Sequence, residues 1–359
     1  MSISPLFPDG IKLSGPAAGT LFNPVVYYGS RTFLRTILIW LIPISLYFGT
    51  VGLAQTSVIF DTDIGSDCDD AGALAVLHKL ADDKEINILG TIFSSNANPY
   101  GIGTIAAINR YYGREDLSLG QYQGPAIIGD PNDTYTRYIA AAQHRYGHKI
   151  MDKGPELVQA YKTILQEQPN ESVTIITVGH PVGLFYLIHD EEGLNLVKTK
   201  VTKWIAMTHT DQTPQNDWNF GKNGTAMYIT GLLKMWPTAA YFSGSGKDII
   251  TGHVKLPETS GNNPVRKSYE LWGNNALKNG RSSWDQIAVL FAARPEYFTL
   301  EKGELKQNNR METFWTPDGN QYRSSQNHFK VIPSIGKQEM EGIIEAMMSE
   351  EPMKRIGRE

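Results

Sequence analysis

From residue 57 onward the chain alternates short apolar runs with stretches of helical periodicity. Val58, Ile59 and Phe60 follow Ser57 as an apolar run, the pattern of a strand covered on both faces of a parallel sheet. Residues 71–80 carry Ala, Leu and Val on one face and predict a helix. Further along, 86–93 predicts a second strand, 103–112 a second helix, 173–178 and 203–207 two more strands, 225–235 a helix and 239–242 a strand. Strands separated by helices predict an α/β fold, an open, mostly parallel sheet flanked by helices in a Rossmann-like arrangement. Near the C-terminus, residues 311–320 suggest a hairpin turning on Asp318-Gly319. Residues 338–348 predict a helix that packs its Met and Ile inward. No repeat, low-complexity tract or long linker interrupts the chain after residue 57, so residues 56–359 read as one domain.

Residues 1–55 follow a different pattern. Arg31 and Arg35 precede an apolar stretch over residues 36–54, and Gly52-Leu53-Ala54 supplies small residues ahead of Gln55. That order resembles an export signal with its cleavage site and predicts a periplasmic or extracellular protein. The stretch also approaches the minimum length of a membrane anchor, so an uncleaved anchor stays open. Pro43 and Gly49 argue against a buried helix in the fold.

Composition narrows the partners. The chain has 359 residues, 41% of them hydrophobic, which suffices for a sizeable core. A formal charge of −4 gives no electrostatic case for nucleic acid, so a small molecule is the expected partner. Contact with a membrane is expected only through the N-terminal segment, and self-association into a homo-oligomer is left open. The single cysteine, Cys68, excludes an intrachain disulfide and a cysteine zinc cluster. Among carboxylates that disfavour a thiolate, it reads as a small filler residue.

The polar clusters follow predicted strands, and ligands in open α/β sheets bind beyond the carboxyl ends of strands. The most distinctive cluster is Asp61-Thr62-Asp63-Ile64-Gly65-Ser66-Asp67-Cys68-Asp69-Asp70, five carboxylates within ten residues. Helix capping accounts for one or two of them. Five in one turn repel each other and call for a bound cation, and oxygen-only ligands indicate Ca²⁺ or Mg²⁺ rather than zinc. An EF-hand read from Asp61 fails, because Gly65, Ser66 and Gly72 stand where that loop needs an acidic or amide residue, a glycine and a glutamate.

A strand ending in Asp61-Thr62-Asp63, then Gly65, then Asp69-Asp70-Ala71 before a helix resembles the signature of the inosine–uridine nucleoside hydrolase family. Two more residues separate the glycine from the paired aspartates than in the shortest family form, and Asp67 falls in that longer stretch. Later blocks follow in the family's order, over roughly residues 57–295. Ile92 to Asn96 resembles its second strand and asparagine loop. Gly179-His180-Pro181-Val182-Gly183 stands where a loop carbonyl binds calcium, Met207 where a residue lies under the sugar, and Asp217-Trp218-Asn219-Phe220 where an acidic-Phe-Asn clamp is usual. Ser283-Trp284-Asp285 resembles the block that returns a last aspartate to the metal.

The resemblance implies a calcium-dependent hydrolase of ribonucleosides or related N-ribosides, with residues 56–359 as the catalytic domain. It implies Asp63, Asp70, Asp285 and the Val182 carbonyl as metal ligands, with Asp63 also the general base. Asp69, Asn96, Met207, Asp217 and Asn219 would meet the sugar, and Trp284 would stack on a flat face of base or sugar. Asp61 and Asp67 are further candidates. Trp284 stands where family members often carry histidine and delivers no proton, which leaves His180 and His209 as candidate acids for the leaving base. Two other readings stay open: a calcium-dependent sugar-binding protein without turnover, and a haloacid-dehalogenase-type phosphatase. The latter fits less well, because Ile64 interrupts its motif and it needs no Asp69-Asp70 pair.

Overall fold

The computed structural model describes residues 55–353. The expected export signal or anchor falls, but for Gln55, outside them. Eleven strands are described, in chain order β1 (Thr56–Thr62), β2 (Ile86–Phe93), β3 (Ser118–Gln121), β4 (Val173–Thr177), β5 (Val201–Met207), β6 (Ala239–Ser243), β7 (Ile250–Thr251), β8 (Arg281–Ser282), β9 (Phe298–Gln307), β10 (Thr313–Pro317) and β11 (His328–Pro333). Nine of them form one sheet in the order β10-β9-β11-β6-β5-β4-β1-β2-β3, and β7 pairs with β8 in a separate ribbon. From β3 to β11 neighbouring strands are parallel, while β9 and β10 close the far edge antiparallel. The architecture is therefore the expected open, mostly parallel sheet with helices on its faces. No helix among the described residues is long and apolar enough to cross a membrane.

Strand alternation assigns each residue of β1 to a face. Val58 and Phe60 enter one core with helices Asp69–Asp82, Gly101–Tyr111, Trp284–Ala293 and Lys337–Ser349, whereas Ile59 enters the other with Leu157–Gln166 and Val182–His189. Continued to the end of the strand, the same alternation sends Thr62 toward the first core and Asp61 toward the second. Both faces are sealed: Phe60 and Ile59 are fully buried, and each such side chain contributes about 1.5–3 kcal/mol of hydrophobic stabilisation.

Three local readings change. The first helix starts at Asp69 rather than at residue 71, so Asp69 and Asp70 sit in its first turn, where the positive end of the helix dipole favours them. The Asp318-Gly319 pair does not make the hairpin turn. The β9–β10 hairpin turns at residues 308–312, where the Asn308 side chain accepts from the Arg310 and Glu312 amides and Met311 takes a positive φ of 63°. A side chain that satisfies turn amides substitutes for the usual Asn-Gly chemistry. Strand β3, the antiparallel pair β9 with β11, and helices such as Leu157–Gln166 and Glu191–Lys200 add to the elements read from the pattern.

Candidate functional site

The six parallel strands from β3 to β6 run in doubly wound order, and the chain reverses direction of growth between β1 and β4. Ligand crevices form at such switch points. The acidic turn leaves β1 there, and residues 178–182 leave β4 beside it, with the Val178 amide donating to the Asp61 carbonyl at 2.8 Å.

Tertiary contacts hold the backbone of the turn from several sides. The Ser66 carbonyl accepts from Trp272 Nε1 at 3.0 Å and from Asn132 Nδ2 at 3.3 Å, and the Asp67 carbonyl accepts from the Tyr135 hydroxyl at 2.6 Å. Gly65 is required where it stands: its φ is +138°, and a Cβ there would lie 2.3 Å from Asn98 Nδ2.

The side chains of the turn meet a further acid, Asp285, from far along the chain. Asp67, Asp69 and Asp285 each bring a carboxylate oxygen within 4.8 Å of the others. Asp69, Asp70 and Asp285 all lie in first turns of helices that pack together. Burial, and then the neighbouring carboxylates, push the Asp70 and Asp285 carboxyls well above the ordinary carboxylate range. Asp69 shifts the same way by burial and the adjacent Asp67, with Arg281 opposing. Asp285 Oδ1 is buried without a hydrogen-bond partner among the described residues. A buried, unpartnered carboxylate oxygen among four further carboxylates fits a hard divalent cation, whose charge and oxygen preference such a set matches.

Each expected residue has a definite place. Thr62 donates its hydroxyl to Asp70 Oδ1. Asp63 Oδ2 lies 3.1 Å from His180 Nε2, an ion-pair distance without hydrogen-bond alignment. His180 is completely buried; burial works against its imidazolium, yet Asp63 outweighs that and the pKa is raised. Its Nδ1 faces the Asn219 carbonyl at 3.5 Å, so this ring is an inner partner of Asp63. His209 is half-buried and its Nε2 is 2.8 Å from the Thr213 carbonyl. Asp61 accepts from the Tyr161 hydroxyl at 2.7 Å, and burial lifts its carboxyl to about 7 against that hydrogen bond.

Asn219 donates to the Val178 carbonyl at 2.7 Å and the Met207 carbonyl at 3.3 Å, clamping the ends of β4 and β5 and leaving its buried Oδ1 unpartnered. Asn96 and Asp217 are engaged differently. The Asn96 carboxamide accepts from the Ile128 amide at 2.8 Å and donates to the Ala126 and Gly124 carbonyls at 2.9 and 3.3 Å. Asp217 accepts from the Thr208 hydroxyl and the amides of His209, Asn219 and Phe220, at 2.7 to 3.1 Å. Each therefore fixes a rim loop with its polar atoms. Val182 begins helix Val182–His189 and is buried, and Met207 ends β5 half-buried. Trp284 is half-buried and gives its amide to Asp69 Oδ2 at 3.1 Å. Cys68 is buried and its thiol pKa is pushed up by burial and the adjacent carboxylates, as a filler residue requires.

Sequence reasoning missed Arg281. Its guanidinium pairs with Asp67 Oδ2 at 2.7 Å and Asp69 Oδ1 at 3.2 Å. A basic residue four positions before Asp285, in a chain region with no other charge pattern, gives no local signal of an acidic partner more than 200 residues away.

No protein-family model matches the chain, and no curated protein sequence matches it. Solved structures do. The inosine-uridine preferring nucleoside hydrolase from Bacillus anthracis superposes with a TM-score of 0.64 at 11% identity, covering 82% of this chain and 99% of that one. A purine-preferring ribonucleoside hydrolase from Gardnerella vaginalis gives 0.57 at 10% identity, with coverage of 82% and 99%. The type III effector XopQ, solved with adenosine diphosphate ribose, gives 0.60 at 10% identity, with coverage of 83% and 94%. The chain has the nucleoside hydrolase fold.

Proposed function

We propose that this chain hydrolyses the N-glycosidic bond of ribonucleosides or related N-ribosides, releasing base and sugar, with calcium bound at the acidic cluster. One observation carries the reading. Asp285, from a late helix, meets the acidic turn of β1 at the switch point of the sheet and keeps a buried oxygen unpartnered. Structural relatives with this fold are nucleoside hydrolases by name, which supports the substrate class.

Asp63, Asp70, Asp285 and the Val182 carbonyl are the proposed ligands. When bound, calcium would supply a fixed positive charge that orients neighbouring sugar hydroxyls and lowers the entropy cost of positioning. The remaining work falls to the chain. Asp63 accepts the proton of the attacking water. The carboxylates of the site stabilise the oxocarbenium-like sugar cation as the bond to the base lengthens. Asp69 and the free Oδ1 of Asn219 accept from sugar hydroxyls, so a sugar lacking one leaves a buried acceptor unpaired. Asn96 and Asp217 act by fixing the loops, and Met207 and Trp284 supply apolar faces.

A second reading is favoured by the two histidines. His180 lies buried against Asp63 and His209 is held by the Thr213 carbonyl, so neither is poised to protonate a leaving base. A protein that binds ribosides with calcium but does not cleave them has the same features. Release of ribose from a panel of purine and pyrimidine ribonucleosides, with Ca²⁺ and then with chelator, separates the two. Chelator-sensitive release supports hydrolysis. Calcium-dependent binding of a riboside without release supports the second reading, and neither binding nor release removes both. The expected export of the protein is a separate proposal, tested by whether the mature chain begins near Gln55.

A further inference from the structure

Five aspartates share this site, yet not all of them are free to hold a cation. Arg281 stands on the short ribbon strand β8 and reaches into the acidic turn with a two-pronged contact, Nη2 to Asp67 and Nε to Asp69. Burial opposes its charge, and the Asp69 and Asp67 carboxylates more than compensate, so its pKa is raised. Its guanidinium lies 5.1 Å from the centre of the Trp272 ring, and Trp272 itself donates to the Ser66 carbonyl. One pair of neighbours thus holds both the backbone of the turn and two of its carboxylates. The other oxygen of Asp69 accepts from the Trp284 amide at 3.1 Å, so that carboxylate is fixed at both ends.

The Asp67 carboxylate adds a negative charge beside four acids that are already buried, Asp63, Asp69, Asp70 and Asp285. A planar fork of donors suits two adjacent carboxylates better than a single ammonium does. We propose that Arg281 is a positioning residue, the permanent counter-ion of Asp67 and Asp69, which aligns Asp69 for a substrate hydroxyl and leaves Asp63, Asp70 and Asp285 to a cation. Asp67 and Arg281 then form a matched pair, in which the guanidinium offsets the acid. The assignment of the other three carboxylates rests on the calcium reading above. The bracing of Asp67 and Asp69 does not.

Two measurements on the purified chain keep those parts distinct. In chelator, thermal unfolding is compared for the wild type, Arg281→Met, Asp67→Asn and the double variant. Arg281→Met is expected to unfold several degrees lower, and the loss to shrink by at least half in the Asp67→Asn background, because the unpaired acid is then gone. Equal losses in both backgrounds would overturn the pairing. Calcium titration by calorimetry is the second measurement, and it reads a quantity that a merely structural role leaves unchanged. Removing one like charge from beside the cation should tighten calcium binding about tenfold in Arg281→Met. Arg281→Lys, which keeps the charge and loses the fork, should bind calcium as the wild type does while unfolding at an intermediate temperature. Calcium affinity unchanged or weakened in Arg281→Met would overturn the counter-ion role. A wild type that binds no calcium defeats the metal reading instead, and the unfolding comparison in chelator still decides the pairing.

Discussion

Replacing Asp285 by asparagine is expected to stabilise the metal-free protein while abolishing its response to calcium. The side chain keeps its shape and loses its charge at the centre of the acidic cluster. Its carboxylate oxygen lies within 4.8 Å of those of Asp67 and Asp69. Two unit charges at that separation repel by about 3 kcal/mol at an effective dielectric near 20. Arg281 offsets part of this, since it pairs with both neighbours. Protonation offsets more, because burial and then Asp69 and Asp70 raise the Asp285 pKa. The net gain of Asp285→Asn near neutral pH is therefore about 1–2 kcal/mol, or roughly 2–8 °C in Tm for a domain of this size. A carboxyl whose folded pKa lies above its unfolded one makes stability fall as pH rises through that interval. The gain should accordingly grow with pH. Thermal and denaturant unfolding in chelator, repeated with excess Ca²⁺, measures both arms. In calcium the order should invert, with the wild type gaining and the variant unchanged, and nucleoside cleavage should fall by at least about a hundredfold. A variant less stable than the wild type in chelator, or one that gains as much from calcium, refutes the repulsion argument.

Three further outcomes follow from other parts of the molecule. His328 is buried, and burial, helped by Lys302, lowers its pKa from 6.5 to about 4, so the unfolded chain binds the proton more tightly. Stability should be lost by up to about 3 kcal/mol as pH falls from about 6.5 to about 4, and His328→Asn should flatten that slope in denaturant titrations. Asn96→Ala removes three hydrogen bonds to residues 124–128 and should cost about 1–3 kcal/mol, with proteolytic nicking appearing in that loop. Glu345 accepts from the amides of His253, Val254 and Lys255. Glu345→Ala, which leaves those amides without their carboxylate, should lower stability by about 2–4 kcal/mol in urea unfolding.

Sequence alone determined what depends on near neighbours. The apolar run of Val58 to Phe60 specifies a strand buried on both sides, because every residue of it needs a dry partner. Asp61 to Asp70 announces an electrostatic problem in one turn, since five carboxylates a few residues apart are close in any conformation. Tertiary structure decided which of those carboxylates remain free. Asp67 and Asp69 are taken by an arginine whose position depends on the β7–β8 ribbon. Asn96 and Asp217 also hydrogen-bond the rim-loop backbone, which residue type alone does not announce. His180, a lone loop histidine in sequence, becomes the inner partner of Asp63 only because β1 and β4 are adjacent. Local patterning fixes which groups reach the carboxyl edge of the sheet; the pairing among them is set by contacts far apart in the chain, whose energies have no local signature.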